Sequence, residues 1–345
     1  MAGHGERQGF LTGIESVRGL AAITVAVWHT SGFLLLHNTL VPFFRQTTLR
    51  DQALSVFNMV FNGQNAVLLF FVISGLVIGR SLDRGKEIQS GKGYLLFLIR
   101  RFLRIYPASI VAMCGMLLLA KLFLIGRAPL DLSSYTNTGI DDWFAPWLNG
   151  AVFNPLRLRS VLGNFALASW SILLVAWTLY VEVTAAPLLP LFHYLSRRGN
   201  ALLDITTMLA LLALMLVGWG HLWCQYWFAF HLGMLIDSRG QAVAQRLTAV
   251  VRSPDIALAL AFLSMAVTSM FTSEYPALMN ACGIVGAFTL LSVLVWNPDG
   301  AVNRFLNQPL LRWNGRLSYS FYLWHFSFLT VVVRGLYATP THDQL

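Results

Sequence analysis

Residues 13–30 read GIESVRGLAAITVAVWHT, and from Gly19 to Phe44 the chain holds no Asp, Glu, Lys or Arg. That run exceeds the roughly 20 residues an α-helix needs to cross a bilayer. It nevertheless opens beside Arg18 and carries His29 near its middle. An ionisable side chain inside a membrane is costly enough to be a candidate for function by default. Arg18 and His29 are eleven residues apart. At 100° and 1.5 Å per residue they lie roughly 20° apart around the helix and roughly 16 Å apart along it. The two share a face, Arg18 near one surface and His29 close to the bilayer centre. Ala22 and Val25 lie between them, and side chains that small predict a track for a slender ligand arm.

The rest of the chain extends this reading. Charge-free stretches recur at Gln52–Gly79, Ser160–Val181, Ile205–Ile236 and Tyr275–Pro298. Of 345 residues 56% are hydrophobic and 11% charged, against about 25% charged in ordinary soluble domains, which excludes a soluble globular protein. Lys+Arg 24 against Asp+Glu 15 gives +9, but the basic residues flank apolar segments and form no solvated patch, so no nucleic-acid partner is expected. The expectation is an all-α, polytopic membrane helix bundle of about 9–10 transmembrane helices, a single integral-membrane domain over residues 1–345. Spans are expected near 14–36, 65–82, 103–125, 177–195, 202–219, 221–237, 255–272, 277–296 and 317–337.

Basic residues in short loops favour the cytoplasm. Arg80, Arg84, Lys86, Lys92, Arg100, Arg101 and Arg104 follow the second span, while Arg197, Arg198, Arg239, Arg246, Arg252, Arg304, Arg312 and Arg316 fall on alternate later loops, with Arg334 the exception. Both groups share one side only if residues 105–196 cross an even number of times. Segment 160–176 is therefore expected not to span, and 126–176 to form an outward loop with an interfacial helix. That loop holds Asp131, Asp141, Asp142, Trp143 and Trp147, which suit either a cover over an outward-facing site or the aromatic belt. The N-terminus is then cytoplasmic and the C-terminus outside. The first helix lacks the short core and cleavage site of a removable signal. Cys114, Cys224 and Cys282 lie in apolar segments without metal-ligand spacing; they read as packing residues, and no metal is expected.

Three more ionisable residues interrupt the apolar segments: Glu182 in WTLYVEVTAAPLLP, His231, and His325 in LSYSFYLWH. Ser318, Tyr322 and His325 recur at i, i+4 and i+7, which predicts one polar face turned into the bundle. His231 has no motif around it and reads as structural. Glu182, placed in the outer half by its span, could serve as a proton partner, a histidine orienter or a helix tie.

Five stretches now stand in order: Arg18 and His29 with ten residues between, FFVISG at 70–75, RRFLRIYP at 100–107, WTLYVE at 177–182 followed by Pro190, and SYSFYLWH at 318–325. With them the chain resembles the acyltransferase 3 family of multispanning membrane O-acyltransferases over nearly its whole length. The resemblance implies transfer of an acyl group, usually acetyl from cytoplasmic acetyl-coenzyme A, to a hydroxyl of a sugar, cell-surface polysaccharide or lipid-linked glycan. It implies acyl-coenzyme A as co-substrate with no permanently bound cofactor, membrane lipids as surroundings, and a multi-pass position in a bacterial cytoplasmic membrane. Arg18 and His29 carry over as essential residues, and Ser74, Arg101, Arg104, Glu182, Tyr319 and His325 as motif positions. Two departures stand out. Ala185 and Ala186 occupy the place of an aromatic pair, and the chain stops at Leu345 where the family usually has one more helix.

The residues themselves point to compatible chemistry. A neutral histidine can take the proton of a hydroxyl attacking a thioester, and His29 is the expected base, with Arg18 and Glu182 beside it in the catalytic set. Arg100, Arg101 and Arg104 suit the phosphates of coenzyme A, which favour a guanidinium fork. Ser74, Tyr319, Tyr322 and His325 are candidate substrate contacts or oxyanion donors. A transporter or flippase for a glycolipid or acylated metabolite would use the same central polar residues as a substrate path, but would need no acyl donor.

Overall fold

The computed structural model describes residues 3–34, 48–84, 90–124, 158–169, 172–197, 200–217, 224–268 and 276–337. Residues 125–157, with Asp131, Asp141, Asp142, Trp143 and Trp147, lie outside the described residues, as do the Arg334 side chain and residues 338–345. Among the described residues there are helices and no strands.

In chain order the helices are α1 (Gly3–Leu34), α2 (Leu49–Val60), α3 (Gly63–Arg84) and α4 (Gly91–Leu119), which ends in a π turn, Ala120–Leu124. Next come α5 (Leu158–Phe165), then α6 (Trp177–Ala185) and α7 (Leu189–Arg197), joined by the 3-10 turn Ala186–Leu188. They are followed by α8 (Ala201–Val217) and α9 (Trp227–Leu235), which passes through a π turn, Ile236–Gly240, into α10 (Gln241–Val251). The chain closes with α11 (Pro254–Thr268), α12 (Pro276–Trp296), α13 (Ala301–Leu306) and α14 (Pro309–Tyr337).

Cross-helix contacts fix the directions. Gly19 faces Asn314 and Gly315, and His29 meets His325, so α1 and α14 run parallel. Trp28 covers Gly63 while Arg18 and Ile78 share one cavity, so α3 runs back against α1. Tyr319 bonds the Ile105 carbonyl and Trp324 covers Gly115, which sets α4 parallel to α14. Arg101 with Glu182, and Tyr94 with Pro187, set α6 and α7 antiparallel to α4. Gln64 with Tyr226, and Arg80 with Asp237, set α9 parallel to α3. The long rods therefore alternate in direction, and Arg80, Arg197, Arg239 and Arg304 gather at one end of the bundle.

By length and composition four described stretches can each cross a membrane: Leu49–Arg84, Gly91–Phe123, Leu174–Arg197 and Pro276–Trp296. A fifth is the broken pair Trp227–Val251 and Pro254–Thr268, bent by 105°. The helices α1 and α14 are diluted by the polar side chains they bring to the site. The face of α4 that leaves Leu103, Val111 and Leu118 more than half exposed suits contact with lipid, where apolar surface carries no penalty.

Lipid removes the hydrophobic drive between helices, so close packing through small residues and hydrogen bonds holds them together. A Cβ on Gly75 would strike the Phe230 carbonyl of α9, one on Gly233 the Val72 carbonyl of α3, and one on Gly315 the Glu15 carbonyl of α1. These glycines let the backbones of α3 and α9, and of α1 and α14, touch. At the basic end Arg80 pairs with Asp237, Arg197 with Asp83, His193 with Asp83 at 2.8 Å and Arg239 with Asp204 at 2.5 Å.

Three features differ from the sequence reading. The basic run from Lys92 to Arg104 is the start of α4 and no loop: Ser90 caps the helix by accepting from the Gly93 amide, and arginine stems can lie along an apolar helix while their heads reach polar surroundings. Segment 160–176 is not one interfacial helix. After α5 the chain turns inward, Leu167 at φ 53 and 3% exposed, and Ile172, Leu173, Val175 and Ala176 are buried. The buried Asn164 secures this turn by accepting from the Ile172 and Leu173 amides. Of the cysteines only Cys224 is buried; Cys114 and Cys282 lie on exposed helix surface.

Candidate active site

Five helices converge on a polar cavity of about 230 Å³: Arg18 from α1, Ser74 from α3, Arg101 and Arg104 from α4, Glu182 from α6, and Arg316 and Tyr319 from α14. The lining holds four arginines against one carboxylate, a formal 4 − 1 = +3. Three other arginines at that end of the bundle, Arg80, Arg197 and Arg239, each have an aspartate. The cavity thus gathers unneutralised positive charge in a concave site.

Glu182 organises the floor. It takes a hydrogen bond from Ser74 Oγ at 3.2 Å and pairs with Arg101 at 3.2 Å. Arg101 is 8% exposed, and its Nε has no hydrogen-bond partner among the described residues. Arg18 is within electrostatic reach of Arg104, Glu182 and Glu15. Tyr319 donates to the Ile105 carbonyl at 2.9 Å, which fixes its ring against α4.

Higher in the bundle stands a second constellation. His29 Nδ1 lies 3.0 Å from His325 Nε2, with the rings stacked at a centroid distance of 5.2 Å. His325 Nδ1 donates to the Tyr322 carbonyl at 2.6 Å. Trp28 and Phe326 meet the His29 ring edge-on. The pair forms because α1 and α14 run parallel in register: Gly19 against Gly315 at one level sets His29 against His325 about ten residues on.

Between the two levels sits an aromatic partition. Phe70, one turn above Ser74, meets Tyr322 edge-to-face at 5.8 Å, and the Tyr322 hydroxyl hydrogen-bonds with Thr178. The residues named from sequence are therefore divided. Arg18, Ser74, Arg101, Arg104, Glu182 and Tyr319 meet in the arginine cavity; His29, Tyr322 and His325 meet roughly 16 Å along α1 from Arg18.

Several expectations change with this geometry. Arg100 does not line the cavity: it shares a helix face with Arg104, about 40° away, but stands one turn nearer the start of α4, and is exposed. Glu182 is neither in an outer half nor a histidine orienter. It is the partner of Arg101 and Ser74, because the buried turn before α6 starts that helix already inside the bundle. Ala22 and Val25 are 0% and 2% exposed and line no part of the cavity, so the face between Arg18 and His29 is closed by packing and is no open track. Ser74 donates to Glu182, Tyr319 to a backbone carbonyl, and the Tyr322 hydroxyl bonds Thr178; of these rings that of Tyr322 stands beside the histidines, 5.6 Å from His325. Ser318 is buried at 1%, and His231 at 0% packs against Phe192. Sequence reasoning places Arg316 only among the loop charges and so misses it as a cavity residue. Its signal was its place one turn before Tyr319. Among the described residues no group of three or more His, Cys, Asp or Glu could hold a metal.

The family described as the acyltransferase domain matches residues 11–342. No curated protein and no solved structure matches. The match covers nearly the whole chain, including both constellations, and the chain belongs to this family of membrane acyltransferases.

Proposed function

We propose that this acyltransferase moves an acyl group, acetyl in the simplest case, from coenzyme A to a hydroxyl of a sugar, a cell-surface glycan or a lipid-linked acceptor in a bacterial cytoplasmic membrane. The observation that carries the reading is the division of one helix pair into an arginine-lined cavity at the basic end and a histidine pair deeper in the bundle. Charge-assisted, forked hydrogen bonds from guanidinium groups suit the phosphates and diphosphate of coenzyme A. Arg18, Arg104 and Arg316 face the cavity from three sides, and Arg101 is held in place by Glu182. By the rule that basic residues favour the cytoplasm, that mouth opens where the donor is.

From there the pantetheine arm reaches the histidines by passing the Phe70 and Tyr322 partition. The distance from Arg18 to His29 is comparable to the length of an extended arm. At the histidines the acceptor hydroxyl attacks the thioester carbonyl carbon, and His29 takes its proton. The carbon–sulfur bond breaks, the sulfur leaves with the electron pair, and the proton passes from His29 to sulfur to give the free thiol. General-base assistance of this kind contributes roughly 10² to 10⁴ in rate. Tyr322, whose ring stands beside the pair, is the candidate donor to the developing oxyanion once its hydroxyl leaves Thr178.

The test is a comparison of glycans, lipids and metabolites from cells with and without the gene, by mass. The expected result is the loss of one acyl mass from a hydroxyl-bearing species. Transport of an intact glycolipid that proceeds without coenzyme A, with every acyl mass retained, would replace this reading by a transporter.

A further inference from the structure

We propose that His325 is a positioning residue for His29. It sets which ring nitrogen of His29 carries the proton, and it shares the charge that His29 gains during transfer. The inference rests on His29 being the base and adds how that base is held ready.

The hydrogen bonds determine the protons. His325 Nδ1 lies 2.6 Å from the Tyr322 carbonyl oxygen, and a carbonyl only accepts, so Nδ1 carries hydrogen. In the neutral ring the lone pair is then on Nε2. Nε2 faces His29 Nδ1 at 3.0 Å, so the proton in that contact belongs to His29 Nδ1. The backbone of Val25, one turn back on α1, is a second hydrogen-bond partner of the His29 ring. His29 therefore carries its proton on Nδ1 and its lone pair on Nε2.

When the acceptor's proton reaches Nε2, His29 becomes an imidazolium whose Nδ1–H rests on His325 Nε2, while His325 rests in turn on the Tyr322 carbonyl. The return of the Nε2 proton to the thiolate restores the starting form. In hydrolytic triads a carboxylate takes the corresponding place, orienting the histidine and stabilising its cation. A neutral imidazole backed by a carbonyl suits an apolar bundle, where an extra buried carboxylate would be costly. Glu182, the carboxylate that lines the arginine cavity, is committed to Arg101 and Ser74.

Two measurements test this. Nitrogen-15 NMR of histidine-labelled protein in nanodiscs is expected to show His29 protonated at Nδ1 and unprotonated at Nε2; the opposite tautomer in the unmutated protein overturns the proposal whatever the variants do. In membrane vesicles, which supply the acceptor, transfer from radiolabelled acetyl-coenzyme A is then compared between variants. His325→Leu is expected to lower kcat by about 10²-fold, with the KM for acetyl-coenzyme A changed less than about threefold, and to release the His29 tautomer. His325→Gln, whose amide oxygen can accept from Nδ1–H, is expected to recover about tenfold of that loss. Folded His325→Leu with normal kcat, while His29→Ala is inactive, overturns this proposal alone. An active His29→Ala overturns the assignment of the base as well.

Discussion

Arg101 of α4 and Glu182 of α6 hold each other at 3.2 Å, and through the Ser74 to Glu182 bond that pair ties α4 to the Ser74 turn of α3. Breaking a buried pair on one side leaves an uncompensated charge and costs about 3–5 kcal/mol, less where a cavity admits water. Arg101→Gln and Glu182→Gln are each expected to lower stability by about 1–3 kcal/mol. The double variant should lose less than the sum, with a coupling of about 1 kcal/mol or more. Thermal unfolding in detergent measures this; strict additivity would mean the pair contributes nothing specific.

The arginines should separate by whether they face the cavity. Arg104→Gln and Arg316→Gln are each expected to raise the KM for acetyl-coenzyme A by about tenfold, the size of one charge-assisted bond, with little change in kcat. Arg100→Gln, one turn outside the cavity on the same helix, should stay within about twofold. Equal effects of Arg100→Gln and Arg104→Gln would reduce the cluster to a topology signal.

Phe70 and Tyr322 divide the donor's charged end from the histidines. Phe70→Trp is expected to lower kcat/KM for acetyl-coenzyme A by about tenfold or more through added bulk. Phe70→Leu should instead admit water and raise acceptor-independent thiol release. If neither variant changes thiol release or transfer, the donor reaches His29 by another route.

Helix contact at Gly75 leaves no room for a methyl group, because the Phe230 carbonyl occupies its place. Gly75→Ala is expected to destabilise the protein by about 1–3 kcal/mol, as overpacking does, and to disturb the adjacent Ser74 and Glu182 bond. Gly91→Ala, which meets nothing within 4 Å, is the matched control and should be near neutral.

Much of this arrangement was legible in the sequence, for identifiable reasons. Long charge-free runs declare helices in lipid, and helical periodicity puts Arg18 and His29 on one face without reference to any other segment. Partners across helices are a different matter. His29 and His325 are 296 positions apart, and nothing in the period of either helix says which neighbour it faces. Counting from the membrane surface sets Glu182 too far out because it assumes that α6 starts there, whereas Leu173, Val175 and Ala176 are already buried. The closed face at Ala22 has a similar origin: small residues signal either a channel or close packing, and here they serve packing. Periodicity does not separate Arg100 from Arg104, which lie one turn apart on one face of α4; only the packing of the neighbouring helices shows that the cavity ends between them.

The most direct measurement is transfer of label from radiolabelled acetyl-coenzyme A into acceptors of membrane vesicles carrying His29→Ala, alongside donor binding to the same purified variant. Removing a base affects the transition state and leaves ground-state contacts largely intact. Donor affinity is therefore expected within about threefold of the unmutated protein, with transfer reduced by about 10²-fold or more. Arg18→Ala is expected to weaken donor binding itself. Folded His29→Ala that binds donor and transfers label at a near-normal rate would contradict the central claim.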